Sequence, residues 1–258
     1  MAFACPQFST RLLEALRQSR HIAVFTGAGI SAESGITTFR TAQTGLWHHL
    51  DPQQICSIAG LRNQPDVVWG LMALRRAEML QAQPNAAHIA IAKLVAKVNS
   101  LSLITQNDDD LHERAGSSSV IHLHGEMMRP RCFGCGRDYS GPFHAPDIIA
   151  DGSPIEPPCC LHCNGRIRPG PVLFGENLTT RVWEAAAQAM RGCDLCLIVG
   201  TSGKVNPAAS LPLLAKRNGA VLVQVNLEPN EFSPIVDFEL LGAAGVVLPA
   251  LIEAAFGV

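Results

Sequence analysis

The sequence predicts an α/β protein whose parallel sheet is interrupted by two insertions that form a smaller lobe. Three observations carry that prediction. Short apolar runs ending in glycine or polar turns alternate with helix-patterned stretches near both ends of the chain. Between residues 127 and 169 apolar periodicity disappears, and five of the nine cysteines crowd in among prolines and glycines. The 258 residues leave room for one large domain and an inserted module, at roughly 100–200 residues per domain. The charge balance is informative by exclusion. A net charge of -2 supplies no general pull towards nucleic acid or an anionic membrane, so neither is expected as a direct partner.

In chain order, residues 8–19 read as a helix, with Phe8, Leu12, Leu13 and Leu16 at three- and four-residue spacing. His21–Thr26 is a buried strand entering a glycine turn. Residues 41–99 are helix-rich and broken at Pro52, Pro65 and Pro84. Leu101–Thr105 is a second short strand running into an acidic turn, and Val120–His124 a third, ending at Gly125. Beyond Phe174 come a helix near 180–191, strand Leu195–Val199, a glycine turn, a helix near 207–217 and strand Val221–Val225. The large domain is therefore discontinuous (1–40, 100–126 and 170–258), with a helical module at 41–99 and a cysteine-rich module at 127–169. No apolar run reaches the roughly 18 residues of a spanning helix. The first twenty residues lack a basic segment followed by an apolar one, so a soluble, cytoplasmic protein is expected.

Three groups of residues carry chemistry. The loop Thr26-Gly-Ala-Gly-Ile-Ser-Ala-Glu-Ser-Gly35 departs from G-x-G-x-x-G, but its small residues let backbone N–H groups approach a pyrophosphate, with Ser31 and Ser34 as further donors. Cys132-x-x-Cys135 and Cys160-x-x-Cys163 can each aim two thiolates at one tetrahedral ion. Four thiolates leave no open position, which points to one structural zinc. Cys160 preserves the x-x spacing where its neighbour Cys159 does not. Cys193 and Cys196 have the same spacing, but Cys196 lies inside an apolar strand, and both read as core thiols, like Cys5 and Cys56. The third group closes the second and third strands: Gln106, Asn107 and Asp109 suit an amide and ribose hydroxyls, and His122 or His124 suits a general base. Spacing alone does not choose between the two histidines.

Assembled, these residues resemble the sirtuins, NAD-dependent protein deacylases. The ordered set is GAGISAESGI with Phe39-Arg40, TQNxD at 105–109, LHERAG at 111–116, HGE at 124–126, the two C-x-x-C pairs, FGE at 174–176, GTS at 200–202 and NLE at 226–228. The resemblance implies a Rossmann-like domain with a smaller lobe made of a helical module and a zinc-ribbon module. It implies that Gly27, Ala28, Gly29, Glu33, Phe39 and Arg40 belong to an NAD site. Gln106, Asn107, Asp108 and Asp109 would surround the nicotinamide ribose and carboxamide. Gly200, Thr201, Ser202, Asn226, Leu227, Glu228 and Ala244 would line the adenosine half. It selects His124 as the base, with Asn107 beside it. Val172, Phe174, Gly175 and Glu176 would pair with the backbone of an acyl-lysine peptide. The implied reaction consumes NAD and yields nicotinamide, 2′-O-acyl-ADP-ribose and free lysine.

Three departures stand out. Thr37-Thr38 replaces the common Pro-Asp before Phe39. Arg168-Pro-Gly-Pro-Val-Leu173 remodels the approach to FGE. Asp108 stands where the motif usually has isoleucine, and a buried carboxylate there is costly unless partnered or protonated. This extra acid and the altered approach keep an NAD glycohydrolase or mono-ADP-ribosyltransferase open as an alternative. Members that remove succinyl or malonyl groups carry a Tyr and an Arg three residues apart. Arg75 matches the Arg, while Met72 occupies the Tyr position. Deacetylation is expected, with desuccinylation if Arg75 meets an acyl carboxylate.

Overall fold

The computed structural model describes residues 7–37, 52–143 and 153–257. Helix α1 (Thr10–Gln18) starts at Ser9, whose hydroxyl accepts the Leu12 N–H, and leads into β1 (His21–Thr26). Helices α2 (Pro52–Ile55), α3 (Ile58–Asn63), α4 (Pro65–Gln81) and α5 (Ala86–Leu94) follow, before β2 (Ser100–Thr105), α6 (Leu111–Arg114) and β3 (Ile121–His122). Two short strands, β4 (Arg131–Cys132) and β5 (Ile167–Arg168), pair antiparallel in the cysteine-rich module. The chain ends with α7 (Thr180–Gly192), β6 (Leu195–Val199), α8 (Leu211–Arg217), β7 (Val221–Asn226), β8 (Phe238–Leu241) and α9 (Ala244–Phe256).

The sheet order is β3-β2-β1-β6-β7-β8, and every pairing in it is parallel. The central strands are buried on both faces, as their near-continuous apolar runs require. Alternation divides them. Ile22, Val24, Leu197 and Val223 pack with α1, α5 and α9, while Ala23, Phe25, Ile198 and Leu222 pack with α7 and α8. From β1 the chain winds outward in one direction to β2 and β3, then returns to place β6 on the other side of β1. The order therefore reverses between β1 and β6, and a crevice opens there at the carboxyl ends of the strands.

Several sequence expectations shift. The third strand stops at His122, because Gly125 takes φ +75° and the His124 carbonyl turns to accept Val172 N–H. Helix α8 begins at Leu211, after a 3₁₀ turn over Ala208–Ser210. The helical module yields its last helix: α5 packs on the sheet with α1 and α9, so residues 86–94 belong with the large domain. Helix α4 packs in a separate cluster, in which Val68, Met72 and Met79 lie with Leu111, Met127 and Leu173. Cys193 and Cys196 are core thiols, and burial pushes Cys193 up to about 11. Cys56 is likewise buried and pushed up to about 12, while Cys5 lies outside the described residues. Among the described residues no helix is long and apolar enough to cross a membrane.

Candidate functional site

The crevice begins where β1 and β6 end. Gly27 N–H donates to Val199 O at 3.0 Å and Gly29 N–H to Gly200 O at 2.8 Å, locking the two turns together. Gly29 has no room for a side chain: a Cβ there would stand 2.7 Å from Gly200 O and 2.8 Å from Gly200 Cα. Gly200 itself holds φ +60°, in the left-handed region. Gly29→Ala is therefore expected to cost about 1–3 kcal/mol, seen as a Tm lower by roughly 2–4 °C per kcal/mol in thermal denaturation. An unchanged Tm would contradict this packing. Glu33 reaches from the same loop to accept Gly245 N–H at 2.9 Å, in the first turn of α9, beside Ala244. Asn226 and Leu227 lie at the carboxyl end of β7, where Asn226 Nδ2 donates to Glu228 O and Leu227 is exposed. Ser202 accepts Lys204 N–H. Phe39 and Arg40 lie outside the described residues.

The loop after β2 fastens onto this floor. Gln106 donates to Thr201 Oγ1 at 2.8 Å. Asn107 Nδ2 donates to Ser31 Oγ at 3.1 Å, and the Ser31 hydroxyl donates in turn to Asp109 Oδ2 at 2.9 Å. Ser31, expected as a further donor to the pyrophosphate, is buried and its hydroxyl donates to Asp109. Ser34 instead accepts from Asn85, which also holds Ile30 O at 2.7 Å. Burial, reinforced by the Asp108 charge, pushes Asp109 up to about 6; Leu111 N–H, the Ser31 hydroxyl and Arg75 oppose the rise. An Asp whose folded value exceeds its unfolded value near 3.9 contributes stability at low pH and loses it as pH rises towards 6. Asp109 thus lowers the stability of the free protein at neutral pH.

The two histidines separate clearly. His122 pairs through Nε2 with Glu113 at 2.8 Å and through Nδ1 with Asn107 O. Burial opposes its charge, but the Glu113 hydrogen bond and charge outweigh that and raise its pKa. His124 meets Gln106 O through Nδ1 at 2.9 Å. A carbonyl only accepts, so Nδ1 carries the hydrogen and Nε2 the lone pair. Burial lowers the His124 pKa, against the Gln106 carbonyl and the Asp108 charge, and leaves the ring neutral at pH 7.

Asp108 is partnered rather than bare. Arg75 donates to it through Nη2 at 3.1 Å and Nε at 3.4 Å, and to Thr37 O through Nη1 at 3.1 Å. Both side chains are largely buried, so Arg75 is not a solvated helix arginine. Its neighbour Arg76 is buried over Trp69 and Phe143. Met72, one turn before Arg75, is also buried. The 172–176 segment offers fewer open backbone groups than expected. Phe174 N–H donates to Cys56 O and its carbonyl accepts Ile58 N–H, while Val172 N–H goes to His124 O. Glu176 folds back to Leu173 N–H and Arg168, and Gly175 turns the chain at φ +85°.

The metal expectation can be tested on sulfur geometry. The Sγ atoms of Cys132, Cys135, Cys160 and Cys163 lie within 4.8 Å of one another, with Cys132–Cys163 at 3.4 Å and Cys135–Cys160 at 3.8 Å. A tetrahedral zinc with Zn–S bonds of about 2.3 Å sets its sulfurs about 3.8 Å apart, so the residues fit. Backbone N–H groups of Cys135 and His162 point at Cys132 and Cys160, as thiolates require. A Cβ on Gly165 would stand 3.3 Å from two of the sulfurs, so the turn must be this small. Cys159 is exposed and outside the cluster, which selects Cys160. Sequence reasoning missed the anchors Asn85, Asn230, which donates to Thr201 O, and His112, buried against Thr26. For Asn85 a signal existed: Pro84-Asn85 before an apolar helix is a capping sequence, and His88 completes the box.

An α/β scaffold whose crevice opens at the β1/β6 switch point is built to bind a nucleotide, and here it carries an appended four-thiolate module. The chain belongs to the Sir2 family, whose model matches residues 27–207. It is 50% identical over 248 residues to the NAD-dependent protein deacylase of Methylococcus capsulatus, covering 96% of this chain and 97% of that protein. A crystal structure of a Sir2 homolog–NAD complex superposes with a TM-score of 0.87 at 38% identity, covering 98% of this chain and 96% of that one. A structure of Sir2 bound to acetylated peptide gives 0.80 at 33% identity, covering 95% and 97%.

Proposed function

We propose that this protein is an NAD-dependent protein-lysine deacylase that releases nicotinamide, O-acyl-ADP-ribose and free lysine. The observation that carries the reading is His124: a neutral imidazole, its Nδ1 hydrogen held by Gln106 O, set beside the Asn107–Ser31–Asp109 network. The relatives agree, being a named deacylase and structures with NAD and with acetylated peptide. In this reading Gly27, Ala28, Gly29 and Glu33 belong to the NAD site, where the turns after β1 and β6 are locked together, and Gly200, Thr201 and Ser202 line its adenosine half. Asn226, Leu227, Glu228 and Ala244 border the adenosine, and Gln106, Asn107 and Asp109 hold the nicotinamide ribose. The acyl oxygen of lysine displaces nicotinamide at C1′ of the ribose. His124 Nε2 then takes the proton of a ribose hydroxyl, whose oxygen closes on the acyl carbon, and water completes release of the amine. The four cysteines hold a closed zinc site with no position for substrate, so zinc supplies folding energy rather than chemistry. The four-cysteine cluster and the buried thiols suit a reducing, cytoplasmic compartment, and acyl-lysine proteins are the substrates in this reading.

Nicotinamide release measured with and without an acetyl-lysine peptide tests this. Release is expected only with peptide, and equal release without it would establish the glycohydrolase alternative. The pairing of Asp108 with Arg75 removes the main motive for that alternative. The lowered His124 pKa also sets the sign of the pH dependence. The base stays deprotonated at neutral pH, so kcat/KM should fall only on an acid limb below about 6.5. A limb centred at about 7.5 would contradict a buried neutral base.

A further inference from the structure

Asp108 and Arg75 lie near the reacting histidine: His124 Nδ1 is held by the carbonyl of Gln106, two residues before Asp108, and the Asp108 carbonyl accepts Met127 N–H at 2.8 Å, three residues beyond His124. Cys56, whose carbonyl holds the backbone of Phe174, lies in the same buried cluster as Met72, one turn before Arg75. Arg75 presents its fork to Asp108 through two nitrogens and spends a third on Thr37 O. A group reacting at His124 therefore meets a guanidinium whose charge is already balanced. A second carboxylate entering here would have to draw Arg75 away from Asp108 and leave a largely buried acid without its partner. It would also join Asp108, Asp109 and Glu78, whose charges already act on Arg75, as a fourth acid around one cation.

We propose that Asp108 is a specificity-determining residue: by pairing with Arg75 it makes the acyl pocket accept neutral acyl groups and reject carboxylate-terminated ones. This rests on the deacylase reading above. It reverses the expectation drawn from Arg75 alone, because the guanidinium is present but committed. Met72, one turn away in α4, adds an apolar surface and no hydroxyl to hold an acyl carboxylate.

The test uses one peptide sequence carrying acetyl-, butyryl- or succinyl-lysine, with NAD, on the wild type, Asp108→Asn and the double variant Asp108→Asn/Arg75→Met. The wild type should favour acetyl over succinyl by about tenfold or more in kcat/KM, since like charges in a pocket discriminate strongly. Asp108→Asn should raise the succinyl-to-acetyl ratio at least about tenfold, mainly through KM for the succinyl peptide, and the double variant should abolish that gain. Comparable wild-type activity on succinyl and acetyl peptides would overturn the proposal whether or not the variants fold. So would a ratio unmoved in a folded Asp108→Asn. If the wild type turned over no acyl peptide at all, the deacylase reading would fail. The charge pair would then be decided by fluorescence-anisotropy competition between acetyl and succinyl peptides: preference for the acetyl form that Asp108→Asn removes supports it, and equal binding overturns it.

Discussion

His124→Ala lowers kcat about 10²–10⁴-fold, the range for a lost general base, while NAD affinity measured by calorimetry stays within a few-fold. The separation follows from what the side chain touches. His124 makes one side-chain hydrogen bond, to Gln106 O, and its backbone carbonyl, which the substitution keeps, holds Val172. The neighbouring His122 should behave oppositely. It ties Glu113 to the Asn107 carbonyl, so His122→Ala loses two hydrogen bonds and should lower the Tm, with a far smaller effect on kcat than His124→Ala. If the two variants lost activity equally with equal loss of Tm, His124 would be a structural residue and the mechanism above would be wrong.

The second large effect concerns zinc. Cys160→Ala should abolish stoichiometric zinc, measured by plasma mass spectrometry, and unfold the module around β4 and β5. Four-thiolate sites of this kind contribute on the order of 10 kcal/mol of apparent folding free energy. Cys159→Ala, one residue away but outside the sulfur cluster, should retain zinc and Tm. The energy matters because the module's own apolar packing is small: its buried cluster is Cys132, Cys160 and Ile167 packed on Trp69 of α4. Retention of zinc in Cys160→Ala with loss in Cys159→Ala would reverse the ligand assignment.

Much of this molecule is legible in its sequence because several physical signals coincide. The strands at Leu195–Val199, which runs into Gly200, and Val221–Asn226, which follows Gly219, are largely apolar runs with few alternatives to a buried parallel sheet. The zinc module is readable from cysteine spacing, since ligand geometry constrains sequence locally. Where the reading went astray, the deciding contact was distant along the chain or masked by composition. Helix α9 carries Pro249 in its interior and is apolar on nearly every side, so neither periodicity nor breaker rules mark it. Strand β8 is a short edge strand of alternating half-buried and exposed residues, found only through its pairing with β7. Helix α5 reads as part of the helix-rich insertion, and only packing against α9 reassigns it.

The candidate site shows the same division. Residue types and order place Gln106, Asn107, Asp109 and His124 at the strand ends, and resemblance chooses His124 over His122. The hydrogen bonds that make one a neutral base and the other a structural tie are three-dimensional. So is the commitment of Arg75 to Asp108, thirty-three residues apart in sequence. So is the hydrogen bond from Ser31 to Asp109, seventy-eight residues apart.

The central claim is that NAD is consumed in step with deacylation, through transfer of the acyl group to ADP-ribose. Mass spectrometry of the products from NAD and an acetyl-lysine peptide tests it most directly. Equal amounts of nicotinamide, free-lysine peptide and O-acetyl-ADP-ribose are predicted. Nicotinamide accompanied by plain ADP-ribose and unchanged peptide, or by ADP-ribose attached to protein, would contradict it.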